Sequence, residues 1–337
     1  MAQRARSVTM DHVARHAGVS RTTVSFVLNN RQGAAISAAT RRRILDAVEE
    51  LGYRPDAGAR ALAGRRTDWY GLITEIVTEP FAVDIIKGAQ DRAWSERRFL
   101  LIASGRGEPE QESAALEKLL EQRVAGLLYA TTWHRPVQVP PAARELPTVL
   151  VNCTDADGEL PCVIPDEFAG GHRATRRLLD AGHERIGFLT LDPAIPASIG
   201  RRAGYEQALR EAGIDPDPQL VVPGYGDARR GHAAAAALLA RQDRPTALFC
   251  GNDRMAMGAY DAIKERGLRI PEDVAVVGFD DQELIAAFLR PALTTVALPF
   301  EAMGAAGVDL LAALTAGEAV PDAPVTVDCP LVERASV

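Results

Sequence analysis

Residues 9–29, Thr9-Met-Asp-His-Val-Ala-Arg-His-Ala-Gly-Val-Ser-Arg-Thr-Thr-Val-Ser-Phe-Val-Leu-Asn29, constrain this chain more than any other stretch. Val13, Ala14 and Ala17 lie at i, i+1 and i+4 and therefore share one face of a short helix. Gly18 ends that helix with the one residue that enters a left-handed turn without a Cβ penalty. Ser20 stands where an N-cap belongs, and Val24, Val27 and Leu28 give a second helix its apolar stripe. Ala14 supplies the small residue needed where two helices nearly touch, and the whole has the spacing of a helix-turn-helix. An αα-hairpin buried in a core would have no use for the other face of the second helix. Arg21, Thr22, Ser25 and Asn29 are short or forked hydrogen-bonding groups suited to base edges and phosphates. The helix N-terminus adds outward N–H groups that favour phosphate.

The charge divides along the same line. Residues 1–66 hold twelve arginines against five acidic residues, a surplus of +7, so a whole-chain charge of −7 leaves −14 for the remainder. A basic head on an acidic body fits a phosphate-binding end joined to a part that does not touch DNA. Cys153, Cys162, Cys250 and Cys329 form no CxxC pair, and reduced, partly buried thiols in a cytosolic setting are expected. The start shows no long apolar run or small-residue cleavage site, and no apolar stretch of 18 residues follows. Neither a secreted nor a membrane protein is expected.

A third helix opens at Ser37-Ala-Ala-Thr40, with Ile44, Ala47, Val48 and Leu51 as its buried stripe and Gly52 as its end. Pro55 stops any helix, and Asp56–Gly64 is a helical piece too short to be stable alone in water. Arg65–Asp68 reads as an exposed linker. From Trp69 the pattern alternates. Strands are expected at 71–76, 99–103, 124–129 and 148–151, with helices near 83–97 and 110–122. A second series follows: strands 185–190, 219–222, 246–250 and 274–278, and helices 200–212, 228–241 and 253–266. The tail adds a strand near 293–297, an amphipathic helix 299–316 and short strands near 325–332. Strands separated by helices imply parallel sheets covered on both faces, and two series imply two similar α/β lobes.

Ligands of such sheets gather where loops leave the carboxyl ends of strands. Phe81, Trp133, Asn152, Arg201, Asn252, Asp253 and Asp280 stand there. Asn252 and Asp253 also stand where a cap of the next helix belongs, a role expected at least of Asp253. Arg201 also fits a surface position, and Asp280 or Asp281 a turn. Other chemistries lack their signatures. Gly105-Arg-Gly107 has neither the third glycine nor the spacing of a dinucleotide loop. No lysine follows a glycine-rich loop, the six histidines have no metal-ligand spacing, and no nucleophile stands in a recognisable setting. No enzyme activity, cofactor or metal is expected.

The residues of the head, with Val8-Thr-Met-Asp-His-Val-Ala, Ala-Gly-Val-Ser, Thr-Val-Ser and Val-Leu-Asn29, resemble the headpiece of LacI/GalR-family transcriptional regulators. Tyr53-Arg-Pro with Ala-Arg-Ala-Leu62 is similar to that family's hinge helix. Gly182–Gly187, Arg201–Tyr205, Asn252–Gly258, Ile270–Asp281 and Pro291–Val296 are similar to segments of its effector-binding core. The resemblance covers nearly the whole chain. It implies a small all-α helix-turn-helix head plus an α/β two-lobed core like a periplasmic binding protein, with parallel, doubly wound sheets. The expected division is a head at 1–55, hinge and linker at 56–68, and an effector-binding, dimerising core at 69–337. Within the core, an N-lobe of about 69–162 plus 293–320 faces a C-lobe of about 163–292 plus 321–334.

By position, the resemblance gives base contacts to Arg21 and Thr22 and, in the minor groove, to Leu62 of a hinge that folds when two copies meet. Backbone contacts fall to Thr9, Ser20, Ser25, Asn29, Ser37 and Thr40. Phe81, Trp133, Asn152, Arg201, Asn252 and Asp280 would line the effector cleft. Partners implied are double-stranded operator DNA, a small-molecule effector, most readily a carbohydrate, and a second copy of the chain. Phe26 stands where the family usually has arginine, and Asp56 where asparagine is common. No leucine heptads mark a tetramerising tail. A solute-binding protein or a small-molecule enzyme on the same core fold is the alternative. The first needs a signal peptide in place of a basic head, and the second a nucleophile, metal set or cofactor loop.

Overall fold

The computed structural model describes residues 8–28, 36–53, 67–75, 77, 78 and 80–337, and the chain divides into two compact units at Thr67/Asp68. In the first unit, helices Met10–Ala17, Arg21–Leu28 and Ala38–Glu50 enclose a core of Val13, Val24 and Ile44, with Ala14, Ala17, Val27, Ala47 and Tyr53 around it. Polar termini delimit each helix. The Thr9 N–H donates to His12 Nδ1 at 3.2 Å, and Gly18 takes φ 64° while Val19 N–H closes on the Ala14 carbonyl at 3.0 Å. The Ser20 hydroxyl accepts the Thr23 N–H at 3.1 Å, and Ser37 accepts that of Thr40 at 3.2 Å. Such caps stabilise a helix end by about 1 kcal/mol each. Asn29 and the expected hinge segment 56–64 with Leu62 lie outside the described residues.

The second unit holds two six-stranded sheets. One runs, in spatial order, Val325–Val327, Cys162–Pro165, Thr148–Asp155, Leu127–Val137, Trp69–Thr74 and Phe99–Ser104, with every pairing parallel. The other runs Leu331–Val332, Thr294–Ala297, Ala275–Asp280, Ala247–Cys250, Ile186–Thr190 and Val221–Pro223, parallel except for its antiparallel edge pair Leu331–Val332 with Thr294–Ala297. Helices cover both faces of each sheet. In the second lobe Phe188 stacks on Phe249 of the neighbouring strand at 4.5 Å, and Tyr205 of the covering helix packs on Phe188 at 5.2 Å.

The chain passes between lobes three times, around Asp166, at Leu298–Pro299 and at Asp328–Pro330. This differs from the expected partition. Thr294–Ala297 belongs to the second sheet, whereas Cys162–Pro165 and Val325–Val327 close the first. Short apolar runs show that a strand exists but carry no signal for which of two sheets it joins. The helix Glu167–Asp180 is not among the expected elements, and it holds Gly170-Gly171 although glycine disfavours helix interiors. Its reason is close packing. A Cβ on Gly171 would collide with the backbone of Arg201, and one on Gly204 with the carbonyl of Phe168, so the Glu167–Asp180 and Pro196–Glu211 helices meet backbone to backbone.

That contact is testable. Gly204→Ala should destabilise the second unit by about 1–3 kcal/mol through overpacking. A urea midpoint equal to wild type would contradict the packing described.

Candidate effector cleft and DNA-facing helix

The cleft begins with an irregularity in one strand. Between the pairs Ala130–Val151 and Arg135–Cys153, four residues, Thr131 to His134, oppose Asn152 alone. Asn152 takes φ 61°, a left-handed conformation that asparagine tolerates better than most residues. The extra length is pinned. The Asn152 side-chain amide donates to the Thr131 carbonyl at 3.1 Å, and the Thr131 hydroxyl donates to the carbonyl of Asn152 at 2.8 Å. Thr132 N–H and hydroxyl both donate to Glu75, which also pairs with Arg135, whose guanidinium lies 4.8 Å over the Trp133 ring. Bulges of this kind re-aim side chains. Here they turn Trp133 and His134 into the cleft.

The second lobe contributes a buried ionic cluster. Arg201 Nε donates to Glu167 Oε2 at 2.7 Å, and Nη1 donates to the Gly251 carbonyl and lies 3.5 Å from Asp280 Oδ1. The guanidinium stacks 3.6 Å over Phe279. The side chains of Arg201, Glu167 and Asp280 are 3 %, 6 % and 6 % exposed. Burial raises both carboxyls and is the largest single influence on each, but for Glu167 the charge and hydrogen bonding of Arg201, joined by His134, together leave the group below its ordinary value. For Asp280 burial wins, and its carboxyl is pushed up to about 6 despite Arg201. Asp280 takes φ 108° and Asp281 φ 53°. Strained backbone of this kind clusters at ligand sites.

Asp253 is not the helix cap expected of it. Asn252 is, accepting the Met255 N–H at 2.9 Å while its amide donates to the Gly226 carbonyl at 3.0 Å. Asp253 is buried instead. It accepts the Thr295 hydroxyl at 2.6 Å and the Gln282 N–H at 2.7 Å, which fixes the turn carrying Asp280. Burial, reinforced by the nearby Asp280, holds the Asp253 carboxyl well above its ordinary value.

Together these elements enclose a cavity of about 370 Å³, and all six candidates, Phe81, Trp133, Asn152, Arg201, Asn252 and Asp280, line it. Phe300 and Tyr225 complete aromatic walls, with Phe81 and Phe300 rings 4.8 Å apart. Sequence reasoning missed Glu167, His134, Tyr225 and Arg254. Glu167 was legible only once the Glu167–Asp180 helix was placed, and His134 only once the bulge was known. Aromatic faces over convergent carboxylate, amide and guanidinium groups suit a polyhydroxylated ring.

In the other unit, Arg21 and Thr22 are exposed at the start of the second helix, with Ser25 half-buried on the same side and Val24 and Val27 turned inward. Arg21 Nε lies 3.9 Å from Asp11, a contact too loose and solvated to hold it. Thr9, Ser20 and Ser37 are exposed at helix starts and Thr40 is half-buried in the first turn of the third helix. Their N–H groups and hydroxyls are of the type that meets phosphate.

A helix-turn-helix unit on one chain with a two-lobed binding unit makes a ligand-responsive DNA-binding regulator. The comparisons agree. Residues 9–56 match bacterial regulatory proteins of the lacI family, and residues 175–337 match a periplasmic binding protein-like domain. The chain is 36 % identical over 330 residues to the HTH-type transcriptional regulator GalR of Escherichia coli K12, covering 98 % of this chain and 95 % of that one. It is 35 % identical over 307 residues to the ribose operon repressor of the same strain, covering 90 % and 92 %. The lac repressor dimer bound to operator and the anti-inducer ONPF superposes with a TM-score of 0.81 at 30 % identity, covering 98 % and 99 %. The transcriptional regulator CelR–cellobiose complex gives 0.68 at 31 %, covering 98 % and 100 %. The chain belongs to the LacI family of DNA-binding transcriptional regulators.

The raised Asp280 carboxyl sets a pH dependence. A ligand that donates hydrogen bonds to Asp280 binds its ionised form, so protonation in the free protein opposes binding. Affinity should fall about tenfold between pH 7 and pH 5, bending near pH 6. Calorimetric titrations at these pH values check this, and a flat profile would contradict it.

Proposed function

We propose that this protein is an effector-controlled repressor, that its effector is a sugar or sugar derivative, and that the effector is held in the interlobe cleft by Asn152, Arg201, Asn252 and Asp280 between the walls of Phe81 and Trp133. The single observation carrying this is the convergence of all six residues, from strands, helices and a helix cap of both lobes, on one cavity. Relatives point the same way, since one is named a ribose operon repressor and a structural neighbour holds cellobiose. The same reading makes the protein a non-catalytic regulator that acts in the cytoplasm, where its DNA is.

On the DNA side, Arg21 and Thr22 read bases, and Thr9, Ser20, Ser25, Asn29, Ser37 and Thr40 hold the phosphate backbone. Leu62 wedges into the minor groove, where unstacking costs a few kcal/mol that the bend offsets through added contacts. A homodimer is part of this reading, because one small head buries too little surface for a specific complex. The lac repressor neighbour is itself a dimer on operator.

Asp280→Ala should abolish the sugar response yet keep operator affinity, since the residue lies outside the DNA-binding unit. Binding of both proteins to DNA from beside the gene should weaken about 10³–10⁵-fold between 50 and 200 mM salt, for roughly 6–10 phosphate contacts per dimer. Fluorescence anisotropy with and without sugar reads both quantities. An Asp280→Ala protein that responds at the wild-type sugar concentration would sink the cleft assignment.

A further inference from the structure

His134 has no assigned role, yet it is the most anomalous polar group in the cleft. Its side chain is 10 % exposed, and its Nδ1 is shielded from solvent with no hydrogen-bond partner among the described residues. The nearest carboxylate oxygen, Glu167 Oε1, is 3.9 Å away, beyond hydrogen-bond range. That oxygen is itself poorly served, since its contact with Arg201 Nη2 is 3.4 Å long. Buried polar groups are normally paired, and two under-paired ones facing each other across a cavity mark a place for a third atom.

We propose that His134 and Glu167 form a two-sided subsite for one hydroxyl of the effector, on the other edge of the Arg201 guanidinium from Asp280. This rests on the reading of the cleft as the effector site. An oxygen about 2.8 Å from both atoms would see them at an angle of about 90°, within the range a hydroxyl oxygen accepts. The carboxylate beside it favours the tautomer with the proton on Nδ1, so the hydroxyl accepts from His134 and donates to Glu167. A carboxylate or phosphate would be repelled by Glu167, and a methylene would leave both protein atoms unpaired. The subsite therefore selects a neutral polyhydroxylated ring over acidic or deoxygenated relatives.

The two groups also come from different lobes. His134 projects from the bulge of the first sheet, and Glu167 starts the helix that follows the crossing at Asp166. A hydroxyl bound to both ties the lobes directly, so the residues that recognise the ligand also register its closure.

The test uses the full chain and calorimetric titration with D-glucose, D-galactose, D-ribose and cellobiose. For a sugar that binds the wild type, His134→Leu should weaken binding at least tenfold. His134→Asn, whose amide nitrogen can stand near the Nδ1 position, should stay within about threefold of wild type. Melting of the free variants separates a lost contact from a lost fold. Deoxy analogues of the same sugar sharpen the result: removing one particular hydroxyl should cost the wild type tenfold or more and cost His134→Leu nothing. Wild-type affinity in His134→Leu, or equal loss in His134→Leu and His134→Asn, would overturn the subsite while Asp280→Ala still reported on the cleft. If no sugar of the panel binds the wild type, or if Asp280→Ala binds as tightly as it does, the cleft reading falls and the subsite with it.

Discussion

A buried guanidinium has few places to go, and Arg201 organises the cleft for that reason. Removing such a charge from water costs several kcal/mol unless it is paired and hydrogen-bonded. Arg201 meets that cost with Glu167, the Gly251 carbonyl, Asp280 and the face of Phe279. Phe279 and Asp280 end one strand, Gly251 follows another and Glu167 starts a helix, so satisfying one side chain fixes the relative positions of two strand ends and a helix start. The same charge favours the ionised form of both carboxyls, but Glu167 has His134 beside it as well and stays below its ordinary value, whereas burial and the nearby Glu167 leave Asp280 close to its midpoint in mildly acidic solution.

The first lobe answers with shape. Four residues bulged against Asn152 give up backbone regularity to put Trp133 on the cleft wall and His134 beside Glu167. Asn152, Asp280 and Asp281 all take positive φ, the first opposite the bulge and the other two where the strand Ala275–Asp280 ends. Strain held at these points is sustained by the rigid sheets behind them. In the other unit economy takes a different form. The hydroxyls of Ser20 and Ser37 accept the N–H groups of Thr23 and Thr40 and also pair with the hydroxyls of those residues at 2.8 and 2.9 Å, so each helix start is closed by its own polar side chains.

Much of this was legible in the sequence because it rests on local rules. The helix-turn-helix showed in the spacing of Ala14, Gly18, Ser20 and Val24, and the lobes in the alternation of apolar strands with amphipathic helices. The six cleft residues could be named because the family's motifs mark them, although only Asn252 and Asp280 lie at strand ends. What stayed hidden depends on packing between distant segments. Gly170-Gly171 reads as a helix breaker until the Pro196–Glu211 helix is laid against it. The sheet to which Thr294–Ala297 and Val325–Val327 belong is decided by three crossings that no single strand records. Asp253 looks like a cap by position, and only its burial against Thr295 and Gln282 shows that Asn252 does that work. Glu167 and His134 were invisible for the same reason, one behind an unrecognised helix and the other inside an unrecognised bulge.

An effector-controlled repressor couples one cleft ligand and one operator thermodynamically through a single chain. Linkage makes that coupling reciprocal: the factor by which a ligand changes operator affinity must equal the factor by which operator changes ligand affinity. The most direct measurement is the affinity of a cleft-binding sugar for the free protein and for the protein saturated with operator DNA, set beside operator affinity with and without that sugar. Two equal ratios, both well removed from one, are expected. A sugar that binds with the same affinity whether or not operator is present would contradict the coupling.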